Sequence, residues 1–95
     1  MRKYEVMYII RTDVEQEVVQ ATIEKFQAII NNGGEITKSD VMGKRRLAYE
    51  IDKFRDGIYV LVNFNGTPEV VAELERVMKI SDEIIRYLIV NDVVA

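Results

Sequence analysis

Ile58-Tyr59-Val60-Leu61-Val62-Asn63-Phe64, running on into Asn65-Gly66-Thr67-Pro68, is the stretch that decides the fold. Ile58, Val60, Val62 and Phe64 fall on one face of an extended chain, and Tyr59, Leu61 and Asn63 on the other. This period of two, with β-branched and aromatic residues, predicts a strand over about 58–65. Thr67-Pro68 follows at once: a hydroxyl N-cap and a proline at the first helical position. A strand therefore feeds directly into a helix. Its apolar stripe is Val70, Val71, Leu74, Val77 and Met78, and Glu75 and Lys79 stand four apart in the favourable orientation. Residues 84–90 (IIRYLIV) predict a further strand, apolar except at Arg86.

The same strand-then-helix unit occurs at the start of the chain. In residues 3–10, Tyr4, Val6, Tyr8 and Ile10 alternate with Glu5, Met7 and Ile9. Both faces are largely apolar, which suits a central strand. Thr12-x-x-Glu15 reads as a capping box. Val14, Val18, Ala21, Ile23, Phe26, Ile29 and Ile30 then recur at helical spacing, predicting a helix over about 13–32 that stops at Asn32-Gly33-Gly34. Between the two units, residues 35–51 form a long polar segment suited to a sheet edge. Gly43 marks a bulge or bend in it. Asp56-Gly57 predicts the hairpin turn, with Lys53 and Arg55 at its tip. The order β-α-β-β-α-β predicts an α+β, ferredoxin-like sandwich: a four-stranded antiparallel sheet with two helices on one face, as one domain over residues 1–95. The other face stays open. Met7, Ile9, Tyr59 and Leu61 are expected on it, and an exposed apolar patch of that kind marks a partner site.

Composition narrows the function. The 95 residues include no cysteine and no histidine. That removes the thiol nucleophile, the thiolate metal site, the commonest general base and the commonest metal ligand. Ser39, Ser81 and the threonines have no histidine to activate them. The glycines at 33, 34, 43, 57 and 66 make no phosphate-cradling loop. No catalytic residue, metal site or cofactor is expected. No run approaches the ~20 apolar residues of a membrane span, and the start lacks a signal-peptide core, so a cytoplasmic protein is the expectation.

The net charge of −3 speaks against nucleic acid only as a global sum. Phosphate contacts are local. Lys44-Arg45-Arg46 is an uninterrupted basic run, Arg2-Lys3 opens the first strand, and Arg86 interrupts the last. Among the tyrosines able to stack on bases, Tyr4, Tyr8, Tyr49, Tyr59 and Tyr87, the parity of Tyr4 and Tyr8 assigns both to the core. The aromatic spacing around residues 55–60 does not fit an RRM.

Four blocks make the chain resemble the bacterial ribosomal protein S6 family over nearly its whole length. They are Met1-Arg2-Lys3-Tyr4-Glu5-Val6-Met7-Tyr8-Ile9-Ile10, Gly43-Lys44-Arg45-Arg46-Leu47-Ala48-Tyr49-Glu50-Ile51, Asp56-Gly57-Ile58-Tyr59 and Ile80-Ser81-Asp82-Glu83-Ile84-Ile85-Arg86-Tyr87. The resemblance implies a structural constituent of the small ribosomal subunit. It implies binding to the central domain of 16S ribosomal RNA, as a heterodimer with ribosomal protein S18, during subunit assembly. Carried over by position, Arg2, Lys3, Lys44, Arg45, Arg46 and Arg86 are the expected RNA contacts, made to phosphate and sugar. Met7, Ile9, Tyr59 and Leu61 are the expected partner contacts. Neither a membrane nor a small-molecule substrate is implied. The chain departs from the family at Met42, where members often carry tryptophan, and at Glu50, where many carry proline. The alternative from another class is a ferredoxin-like small-molecule-binding regulatory module, for which the chain lacks a glycine-rich ligand loop.

Overall fold

The computed structural model describes residues 2–51 and 54–91, with side chains described outside 48–54. Six elements follow in order: β1 (Arg2–Ile10), α1 (Gln16–Asn31), β2 (Glu35–Ile51), β3 (Phe54–Gly66), α2 (Pro68–Ile80) and β4 (Ile84–Asn91). The strands form one antiparallel sheet in the order β2-β3-β1-β4. The two strands that lead into helices are thus the central pair. Tyr8 of β1 pairs with Val60 of β3 on one side and with Tyr87 of β4 on the other.

The core lies between the helices and the even-numbered residues of β1 and β3. Val6, Tyr8, Ile10, Val60, Val62 and Phe64 are all buried. α1 contributes Val19, Ile23, Phe26 and Ile30, and α2 contributes Val70, Leu74 and Met78. Tyr4 stacks on Phe64 with ring centroids 5.5 Å apart, and Tyr8 meets Phe26 edge-on at 5.2 Å. Both tyrosines are therefore core residues, as their parity predicts. Burial pushes the Tyr8 hydroxyl pKa well above its ordinary value.

α2 starts as its sequence dictates. The Thr67 Oγ1 accepts from the Val70 N–H at 3.4 Å, and Glu75 reaches Lys79 at 3.4 Å. α1 does not. The capping box at Thr12 is not formed: the helix begins at Gln16, with Glu15 at the N-cap and no side-chain cap bond. The Thr12 hydroxyl donates instead to Asp56 Oδ1, 2.8 Å away on β3. A carboxylate is a stronger acceptor than the local alternatives, and only the tertiary fold brings it near. The inward stripe of α1 is also rotated from the expected one. Val19 and Thr22 are buried, while Val18 and Ala21 are exposed. Thr22 is tolerated there because its hydroxyl donates to the Val18 carbonyl at 2.7 Å. The chain leaves the helix through Gly33, at φ +124°.

The hairpin also differs from its expected form. Asp56-Gly57 is not its turn, for both residues lie inside β3, paired with Arg46 and Arg45. Arg55 likewise belongs to β3, and Lys53 lies outside the described residues. Gly57 is needed for a different reason: a Cβ there would collide with the Ile9 Cγ2 methyl. It is a site of close approach within a strand. Gly43 does mark a bulge, with φ +83° at the register shift after Val41. Replacing Gly57 by alanine should cost about 1–3 kcal/mol through overpacking. In urea denaturation, Ile9→Ala should remove much of that cost, so that the two changes are less than additive. Full additivity would show that the Ile9 contact is not the cause.

Candidate nucleic-acid interface

Which face a residue occupies follows from register, because side chains alternate along each strand and pair across neighbours. On the open face, Glu5, Met7 and Ile9 of β1 stand opposite Asn63, Leu61 and Tyr59 of β3. On the other flank they stand opposite Val90, Leu88 and Arg86 of β4. Met7, Tyr59 and Leu61 are half-buried there. Ile9 is not available: it is 3 % exposed, packed over Gly57. Leu88 and Val90, on this face by their pairing, are exposed apolar groups, at 55 % and 38 %. Sequence reading missed both. They share the parity of Arg86, so the signal was there, but only the pairing of β4 to β1 reveals which face that parity occupies.

The basic residues divide in the same way. Arg45 pairs with Gly57 and Arg86 with Ile9, so both belong to the open face at the end where β1 finishes. Lys44 pairs with Ile58 and Arg46 with Asp56, on the helix side of the same ribbon. Lys44, Arg45, Arg46 and Arg55, with Asp56, line a groove of about 440 Å³. All four cations are exposed. Arg86 lies across two strands from Arg45, roughly 14 Å at the usual strand spacing. Arg2 and Lys3 do not join this cluster. They pair with Gly66 and Asn65 at the opposite end of β1, roughly 20–25 Å from Ile9 along the strand. The described side chains exclude Tyr49, and Tyr87 pairs across from Tyr8, toward the helices.

Two contacts shape the cluster. The Arg45 Nε donates to the Met42 carbonyl at 3.4 Å, bracing its guanidinium against the bulge. Asp56 pairs with Lys44 at 3.4 Å while accepting from Thr12. The Thr12 hydrogen bond, with Lys44 adding to it, holds the Asp56 carboxyl below the usual aspartate range. Among the described residues, no group of three or more histidines, cysteines, aspartates or glutamates is placed to hold a metal. Exposed guanidinium and ammonium groups bind phosphate oxygens through charge and, for arginine, bidentate geometry. A contiguous exposed apolar face is the kind of surface that marks an interaction site. Neither supplies a nucleophile or a proton-transfer group.

The fold is an α+β sandwich with one sheet face left open and a basic groove at one end of the sheet. Comparison with known proteins places it more closely. The family model for ribosomal protein S6 matches residues 3–91. The small ribosomal subunit protein bS6 of Moorella thermoacetica is 58% identical over 90 residues, covering 94% of this chain and 92% of that protein. The bS6 protein of Desulforamulus reducens is 55% identical over 93 residues, covering 97% and 98%. The crystal structure of 30S ribosomal protein S6 from Thermotoga maritima superposes with a TM-score of 0.90 at 36% identity, covering 95% of this chain and 86% of that one. The chain belongs to the ribosomal protein S6 family, which makes it a structural protein of the small ribosomal subunit and not an enzyme.

The lowered pKa of Asp56 has a testable sign. Its contacts contribute stability that is complete above the ordinary aspartate value of about 3.9, and that is lost as pH falls through the lower folded-state value. Asp56→Asn should therefore flatten the acid limb of the stability curve. Urea titrations between about pH 5 and pH 2 measure this. An unchanged slope would show that the carboxylate contributes nothing to folding.

Proposed function

We propose that this protein, in the cytoplasmic ribosome, binds the central domain of 16S ribosomal RNA as a heterodimer with ribosomal protein S18 during subunit assembly. The observation that carries the reading is a juxtaposition on one sheet face. Exposed Leu88 and Val90 adjoin Met7 and Leu61, and exposed Arg45 and Arg86 lie at the end of the same face. The partner covers the apolar part, using Met7, Tyr59, Leu61, Leu88 and Val90. Ile9 supports that surface from beneath. The RNA backbone meets Arg45, Arg46 and Arg86, with Lys44 beside them. Arg2 and Lys3 form a separate phosphate contact at the far end of β1.

The contacts position the protein without reading bases. Their strength comes from counterion release at each neutralised phosphate. A protein of net charge −3 gains little from that alone, whereas pairing with a basic partner extends the cationic footprint. Each surface is weak by itself, and the two together give assembly its order. The regulatory-module alternative has no observation in its favour.

Filter binding to a central-domain RNA fragment tests the proposal, using this chain alone, S18 alone and the pair across a salt series. The pair should bind far more tightly than either component. Arg45→Ala with Arg46→Ala in the pair should reduce the slope of log affinity against log salt by roughly 1.5–2. Binding by this chain alone as tight as by the pair would refute the cooperative mechanism. An unchanged slope would remove these arginines from the interface.

A further inference from the structure

The strands that carry Arg45 and Arg86 are the two edges of the sheet, β2 and β4, and they do not touch. One segment reaches toward both: the loop of residues 11–15 between β1 and α1. On one side, the Thr12 hydroxyl donates to Asp56 Oδ1 at 2.8 Å. The second carboxylate oxygen of Asp56 pairs with Lys44 Nζ at 3.4 Å, which ties the loop through β3 to the basic segment of β2. On the other side, the Arg11 N–H donates to the Glu83 carbonyl at 2.9 Å, and the Arg11 guanidinium reaches the Asp82 carbonyl at 3.5 Å. Those carbonyls belong to the turn that leads into β4. Asp13 holds the Arg11 side chain from within the loop.

We propose that this loop is a strap, closed by the Thr12–Asp56 hydrogen bond, that braces the Arg45 and Arg86 ends of the sheet against each other, making Thr12 and Asp56 positioning residues for RNA binding. The inference rests on the RNA-contact reading of those arginines and goes beyond it by giving a role to an acid lodged among cations. By charge alone, Asp56 opposes phosphate binding. By geometry, it occupies Lys44 and anchors the ribbon on which Arg45 and Arg46 stand. Two phosphate-binding groups on one frame cooperate only if their spacing is held, because each looseness must be ordered on binding. The strap does this before the RNA arrives.

The two accounts of Asp56 predict opposite signs. Charge alone says that Asp56→Ala tightens RNA binding and that Thr12→Val does nothing. The strap says that both weaken binding by the S18 pair, by roughly tenfold. In Thr12→Val the salt slope stays as in the wild type, because the number of phosphate contacts is unchanged. Thr12→Ser, which keeps the hydroxyl, restores affinity. A second measurement needs no RNA. In the free protein, Thr12→Val should speed amide hydrogen exchange at residues 44–46 and 83–86. Unchanged exchange at both segments overturns the strap whatever the RNA does. Faster exchange with unchanged affinity overturns its part in RNA binding while leaving the arginine contacts standing. If Arg45→Ala and Arg46→Ala also leave affinity and slope unchanged, the RNA-contact reading itself has failed.

Discussion

The structure depends on β1 being hydrogen-bonded along both edges while only one of its faces is covered. Val6, Tyr8 and Ile10 lie under the helices, and Glu5, Met7 and Ile9 lie on the open side. A slip of one residue against either neighbour would exchange the two sets. It would put Glu5 into the core and expose three fully buried side chains, each worth about 1.5–3 kcal/mol. The register is therefore held firmly. Once it is held, the positions of Leu61 and Tyr59 on β3, and of Leu88, Arg86 and Val90 on β4, follow from pairing alone.

An acidic protein of an RNA-bound assembly is consistent with this layering. Glu17, Glu24, Glu69 and Glu73 are exposed on α1 and α2, on the layer away from the open sheet face. Arg45, Arg46, Arg55 and Arg86 gather on strands, at one end of the sheet. Charges separated by more than a screening length of about 8 Å act almost independently. The two layers therefore present different electrostatic surfaces, whatever their sum. The helix layer repels a polyanion, and the sheet end attracts one.

Thr12 shows how local preference yields to tertiary opportunity. With Glu15 three residues on, it had the makings of a cap worth about 1 kcal/mol to α1. The folded chain spends its hydroxyl on Asp56 and starts the helix later, at Gln16. The helix has sixteen residues and a buried stripe of its own, so it tolerates the lost cap. The loop gains a fixed point on β3. A short helix with a weak apolar face could not have made that exchange.

The element order, the two faces of β1 and β3, the start of α2 at Thr67-Pro68 and the bulge at Gly43 were all legible in the sequence. Each is set by neighbours within a few residues: a period of two, a cap, a proline, a glycine. The basic run and the open apolar face were legible for the same reason. The tertiary structure alone decided what depends on distant pairing. It turned α1 so that Val19 and Thr22 face inward, and it drew Asp56-Gly57 into β3. It hid Ile9 over a glycine and brought Leu88 and Val90 to the open face. It also parted Arg2 and Lys3 from the other cations by most of a strand's length. Alternation tells a residue which of two faces it shares with its neighbours, but only the pairing of separate strands says which of those faces meets the core.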